Sequence, residues 1–185
     1  MLVVVLHSMY GLRDVERAAA ATLRAAGHDV VVPDLYGGLT SAPVVADGLE
    51  LMRSVGWQTI VSRARAATAD LPADAALIGF SMGVGVLGAL WPDRPQAPVV
   101  VCWHAATVVP GTATSRTVQL HVATDDPFAP REDRDAFARS AAAAGAPFEE
   151  FRYPGGHFFT DPAGPDWQAD SARLSWERAL AALAG

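Results

Sequence analysis

Six short runs, five of them rich in valine, leucine and isoleucine, alternate with longer stretches of helical spacing, and this rhythm restricts what the chain can become. The runs are LVVVL at 2–6, HDVVVP at 28–33, AALIGF at 75–80, PVVVCW at 98–103, TVQLHVA at 117–123 and FEEFRY at 148–153. A strand, a covering helix and a strand in the same direction are joined without long loops only in a parallel arrangement, so the pattern predicts an α/β fold. The expectation is a mostly parallel sheet of about six strands with helices on both faces. At 185 residues, 51% of them hydrophobic and 18% charged, the chain suits one domain over 1–185 with a sizeable core.

The helices can be placed from apolar spacing. Val15, Ala19, Leu23 and Ala26 recur at steps of four, four and three, and Gly27 stands where a glycine would stop that helix. A second helix is expected within 44–70 and a third directly after Ser81. A fourth should run from Glu132 to Ala144 before Gly145, and a last one carries Trp176, Leu180 and Leu183 on one face. Residues 33–57 mix turn signals with weak periodicity. They read as a loop lying over the C-terminal edge of the sheet, where open α/β sheets bind ligands.

Charge and composition exclude several functions. Net charge is −6, all 14 basic residues are arginine, and no arginine cluster or basic-aromatic stripe tracks phosphates, so nucleic acid is not expected as a partner. The opening MLVVVLHSMYG lacks a positive n-region and its apolar run ends after about six residues, short of a signal segment of roughly 7–15. No stretch approaches the ~18 apolar residues of a membrane span. A soluble, cytoplasmic protein is the expectation, and a homo-oligomer is left open. The lone Cys102 cannot form an internal disulfide and reads as a small buried hydrophobe.

The sharpest motif is GFSMG at 79–83. A strand of the buried type, AALIGF, runs straight into SMGVGVLGAL, which has helical apolar spacing and no room for a loop. Such a strand–turn–helix places its central residue in a strained conformation with its side chain above the sheet, as a nucleophile requires. The bland reading is a glycine-eased turn. A catalytic Ser81 needs a base and an acid, because a serine hydroxyl is a poor nucleophile while it holds its proton. His157, in the glycine-bearing RYPGGHFFTD, follows the last strand; Asp126, in HVATDDPFAP, follows the fifth. Both therefore fall at the same edge as Ser81. Of the other histidines, His28 sits at a helix–strand junction, His121 lies within a strand, and His7 and His104 precede any acid-bearing turn. Only one of the adjacent Asp125 and Asp126 can face the imidazole, and Asp126, before Pro127, is preferred. Asp34 reads as a turn residue. The Met82 N–H, at the helix N-terminus, would point towards a developing oxyanion.

The chain resembles a small member of the dienelactone hydrolase family of α/β-hydrolases, carried by VVVLHSMYGL, AAGHDVVVPDLYGG, GFSMGV, ATDDPFAP and YPGGHFF in the family's order and approximate spacing. The resemblance implies Ser81, Asp126 and His157 as the triad and a second oxyanion donor at the Met9 N–H. It also exposes departures. The family's name-giving enzymes have a cysteine where Ser81 stands and a glutamate at the position of Ser8. Nor does an arginine align with the one that grips a substrate carboxylate, Arg53 being only a weak substitute.

Ser8, Tyr10, Tyr36, Trp103 and His104 fall near the same rim and are the substrate-binding candidates, each with core packing as the alternative. Trp57, Trp91, Trp167 and Trp176 read as packing anchors, although Trp57 could line the pocket. No histidine or cysteine pair has metal-ligand spacing, and no cofactor is called for. The sequence thus points to a serine hydrolase for a small carboxylic ester, lactone or thioester. Its rival is a non-catalytic ligand-binding or interaction protein on the same scaffold.

Overall fold

The computed structural model describes residues Met1–Gly185. In chain order the elements are β1 (Leu2–Leu6), α1 (Asp14–Ala25), β2 (Asp29–Val31), α2 (Val45–Val55), α3 (Trp57–Thr68), β3 (Ala76–Phe80) and α4 (Met82–Leu90). They continue with β4 (Val99–Trp103), β5 (Thr117–Ala123), α5 (Arg131–Ala144), β6 (Phe148–Tyr153) and α6 (Ala169–Ala184).

All six strands are parallel and lie in the order β2-β1-β3-β4-β5-β6. Successive side chains of each strand face opposite ways, and both faces are covered. Val4, Leu6, Leu77, Val100, Cys102 and Leu120 meet the apolar faces of α3, α4 and α5 on one side. Val3, Val5, Ile78, Val99, Val101 and Trp103 meet α1 and α6 on the other. Hence the strands read as continuous apolar runs rather than alternating ones. The order reverses between β1 and β3, and the loops leaving their C-terminal ends diverge there to leave a crevice.

Several local expectations are refined. Gly27, at φ 88°, follows α1, and the helix ends with the His28 N–H donating to the Leu23 carbonyl. The buried stripe of α1 is Glu16, Ala19, Ala20 and Leu23, rotated from the expected one so that Ala26 is exposed. Residues 33–57 are not wholly a loop: an irregular stretch gives way to α2 at Val45. The helical region 44–70 is two helices, broken at Gly56, whose φ of 82° few other residues adopt. No helix is long and apolar enough to cross a membrane.

Candidate active site

Ser81 sits between β3 and α4 with φ 50° and ψ −109°, a conformation costly to a non-glycine residue and held by its surroundings. Its amide donates to the Trp103 carbonyl of β4 at 2.8 Å. The flanking glycines explain why the turn can be so tight. A Cβ on Gly79 would lie 2.8 Å from the Gly83 carbonyl and the Val84 nitrogen, and one on Gly83 would collide with the Leu6 and His7 carbonyls. The N-terminus of α4 is therefore pressed by main-chain contact against β3 on one side and the end of β1 on the other.

His157 reaches this turn from the loop after β6. Its Nε2 lies 2.9 Å from the Ser81 Oγ, and its Nδ1 lies 2.8 Å from both Asp126 carboxylate oxygens. A carboxylate only accepts, so Nδ1 carries the proton and the Nε2 lone pair accepts from the serine hydroxyl. The Asp126 side chain is fully buried and is further satisfied by the Phe128 N–H at 2.9 Å. Its neighbour Asp125 is exposed. Phe128 and Phe158 flank the imidazole with ring centroids 4.6 and 4.7 Å away. A hydroxyl, an imidazole and a carboxylate in such a chain can move a proton off the oxygen and hold the resulting imidazolium.

The Met9 and Met82 residues are nearly buried, and neither amide donates a hydrogen bond within the chain. Met82 is the first residue of α4, where an N–H has no intrahelical acceptor. The loop bearing Met9 is anchored by a residue that apolar periodicity does not pick out. Glu16, 1% exposed, accepts from the Ser8 N–H at 3.2 Å, the Ser8 hydroxyl at 2.8 Å and the Arg13 N–H at 3.0 Å. The sequence signal for it was a glutamate in the first turn of a helix, where its carboxylate can reach back to the chain entering that turn. His7 adds a second clip, its Nδ1–H donating to the Ser8 carbonyl and its Nε2 accepting from the Leu35 N–H.

A pocket of about 240 Å³ opens beside His157, lined by Tyr10, Pro43, Val45, Pro127, Phe128 and Phe158, with Gly156, Gly164, Pro165 and Asp166 completing it. Tyr10 is thus on its wall. Ser8, Tyr36, Trp103 and His104 are not among the residues lining it. Ser8 is turned inward to Glu16, and Tyr36 packs behind the rim with its hydroxyl donating to Met82 Sδ at 3.1 Å. Trp103 faces α6, stacks on Phe80 and donates to the Ser175 hydroxyl. His104 is wholly buried, with Nε2 2.7 Å from the Thr160 Oγ1. Local sequence showed which edge these residues approach but not how deeply neighbouring layers cover them.

Other candidates also settle. Arg53 is exposed on α2, and Trp57 rests against Gly85, neither reaching the pocket wall. Asp34 is a turn residue, accepting from the Tyr36 and Gly38 amides. Cys102 is buried, and burial pushes its thiol pKa up, so it stays protonated. Trp91 and Trp176 pack in the interior or against it, whereas Trp167 is exposed.

A larger cleft, of about 820 Å³, lies along α1 with Phe80, Thr160, Asp161, Trp167 and Trp176 among its walls. No nucleophile–base pair opens into it.

Comparison with known proteins agrees with this architecture. Over nearly the whole chain the fold matches a dienelactone hydrolase-like promiscuous phosphotriesterase, P91, from metagenomic libraries, with TM-score 0.82 and 20% identity, covering 99% of this chain and 85% of that one. A candidate dienelactone hydrolase from Klebsiella pneumoniae subsp. pneumoniae gives TM-score 0.79 at 19% identity, covering 99% and 86%. The protein m3DLH gives 0.78 at 22%, covering 97% and 85%. No curated protein sequence matches the chain. The dienelactone hydrolase family model, by contrast, matches residues 1–184, nearly end to end. The protein is accordingly a hydrolase of ester bonds, and it belongs to the dienelactone hydrolase family.

Proposed function

We propose that the protein is a serine hydrolase that cleaves small carboxylic esters, lactones or thioesters through an acyl-enzyme. The observation that carries this reading is the unbroken chain from the Ser81 hydroxyl through His157 to Asp126, with separations of 2.9 and 2.8 Å. Ser81 Oγ attacks the substrate carbonyl while His157 Nε2 takes its proton. Asp126 keeps the imidazole in the required tautomer and balances the imidazolium. The Met9 and Met82 amides, free of acceptors of their own, stabilise the oxyanion of the tetrahedral intermediate. As the C–O or C–S bond breaks, the imidazolium gives its proton to the departing alkoxide or thiolate, which leaves as the alcohol or thiol. Water, deprotonated by the same imidazole, releases the acid and restores Ser81.

The pocket volume limits the substrate. At about 240 Å³ it is below the range typical of drug-sized ligand sites, which suits short acyl and alcohol parts. A serine in place of the family's cysteine, paired with a neutral imidazole, suits ordinary esters. A fluorophosphonate probe tests the nucleophile directly: labelling of the wild type that vanishes in Ser81→Ala supports the reading, and a folded, unlabelled wild type favours a non-catalytic binder. A panel of short-chain aryl esters, lactones and thioesters, run on wild type and His157→Ala, then ranks the substrates.

A further inference from the structure

The pocket beside His157 holds one carboxylate and, apart from His157 itself, which is paired with Asp126, no basic side chain to answer it. Asp166 is half-buried on the wall, and none of the protein's ion pairs includes it. Arg13, whose guanidinium lies 4.9 Å from the Tyr10 ring centroid, is instead bound to the buried Asp161 at 2.5 Å. Arg53 stands exposed on α2 and is not among the residues lining the pocket.

The placement of Asp166 is built into the fold. Its Oδ2 accepts from the Phe158 N–H at 3.3 Å, the residue directly after the base. Gly156, directly before the base, leaves the space that the carboxylate occupies, since a Cβ there would collide with both Asp166 oxygens. The charge reaches the opposite wall as well. The Tyr10 pKa is raised, first by burial and against the pull of Arg13, with Asp166 adding to the rise, so the hydroxyl remains a donor. Around the carboxylate the wall is aromatic: Tyr10 and Phe158 have ring centroids 5.2 Å apart, and Phe128 closes the side towards His157.

An unpaired carboxylate among aromatic faces is the chemistry that binds an organic cation, through Coulomb attraction and the negative faces of the rings. The same carboxylate repels a substrate that is itself an anion, and the net charge of −6 adds to both effects at long range. We propose that Asp166 is a specificity-determining residue that selects esters bearing an ammonium group over neutral ones of equal shape, and neutral ones over carboxylate-bearing ones. This rests on the serine hydrolase reading for its turnover but not for its binding.

Two sets of matched short esters test it, one varying the alcohol end and one the acyl end, each carrying a trimethylammonium, a tert-butyl or a carboxylate group. In wild type at low salt, kcat/KM in at least one set should fall in that order. Asp166→Asn keeps the shape and an acceptor for the Phe158 N–H. It should lower the cationic-to-neutral ratio about 5-fold and raise the anionic-to-neutral ratio by a similar factor, as expected for a partly exposed charge pair. Ratios remove any effect the substitution has on His157 itself, which all three esters share. Calorimetric binding of (2-hydroxyethyl)trimethylammonium to wild type and Asp166→Asn reads the same preference without turnover, with affinity weakened about 5-fold in the variant. Equal ratios in both proteins, or binding that the substitution leaves unchanged, would overturn the proposal. Absence of any ester turnover together with Asp166-dependent cation binding would instead overturn the hydrolase reading and leave the cation site standing.

Discussion

Two histidines with ring centroids 5.6 Å apart live in opposite circumstances. On the pocket side of the 157–160 loop, His157 has a carboxylate on one nitrogen and a hydroxyl on the other. Behind that loop, His104 is enclosed by Phe80, Phe158 and Phe159, holds Thr160 with Nε2, and has no partner for its buried Nδ1. Burial pushes the His104 pKa well below the usual imidazole value, with His157 and His121 opposing its charge as well. The same side chain is thus equipped as a base in one place and kept neutral as packing in the other. The difference lies in a carboxylate and an open path to the serine. It also has a use, because a protonated imidazole behind His157 would oppose the imidazolium that the reaction forms.

Removing the base should have the largest effect. His157→Ala is expected to lower kcat/KM on a neutral ester by about 10⁴-fold or more, and steady-state assays that find it within tenfold of wild type would end the distinction between the two rings. Asp126→Asn should cost about 10³- to 10⁴-fold, because an amide favours the tautomer that points a proton at Ser81; the fluorophosphonate labelling rate should fall in step. His104→Gln keeps a group that can meet Thr160 and touches no reacting atom. Its kcat/KM should stay within about tenfold of wild type, and a loss as deep as that of Asp126→Asn would make His104 part of the chemistry.

The smallest effect concerns acid stability. His121, buried between Trp103 and Tyr153 and facing Arg178, Gln119 and the Tyr153 hydroxyl, has its pKa lowered by burial to about 3. The unfolded chain, with an ordinary imidazole near 6.5, binds that proton first. Stability therefore falls as pH drops from about 6.5 towards 3, by at most about 1.4 kcal/mol per pH unit for this group. Chemical denaturation between pH 7 and 4.5 should show a shallower decline in His121→Gln than in wild type.

How much of this could be read from residues alone depends on whether the information is local. The central strands β1, β3, β4 and β5 were legible because strands buried on both faces are largely apolar, and the turn at Ser81 because a strand met a helix with no residues between. Only one of the adjacent Asp125 and Asp126 could face the imidazole, and the place of Asp126 directly before Pro127 gave the preference. What was not legible depends on layers brought from elsewhere. Trp103 and His104 end the strand beside the site, yet α6 and the 157–160 loop bury them. Glu16 occupies a position one residue from the expected apolar stripe and is explained only by the three donors that converge on it. Asp166 lies in a stretch with no strand or helix signal and becomes meaningful only when folded back against Gly156.

The prolines at 43, 127 and 165 bring three separate connections to the rim of the pocket, and each has its φ fixed by its own ring. A cavity walled in this way has little freedom to surrender when a guest arrives. It should discriminate by refusal, turning away an oversized chain instead of swelling to admit it, and enlarging its repertoire would mean replacing those rings.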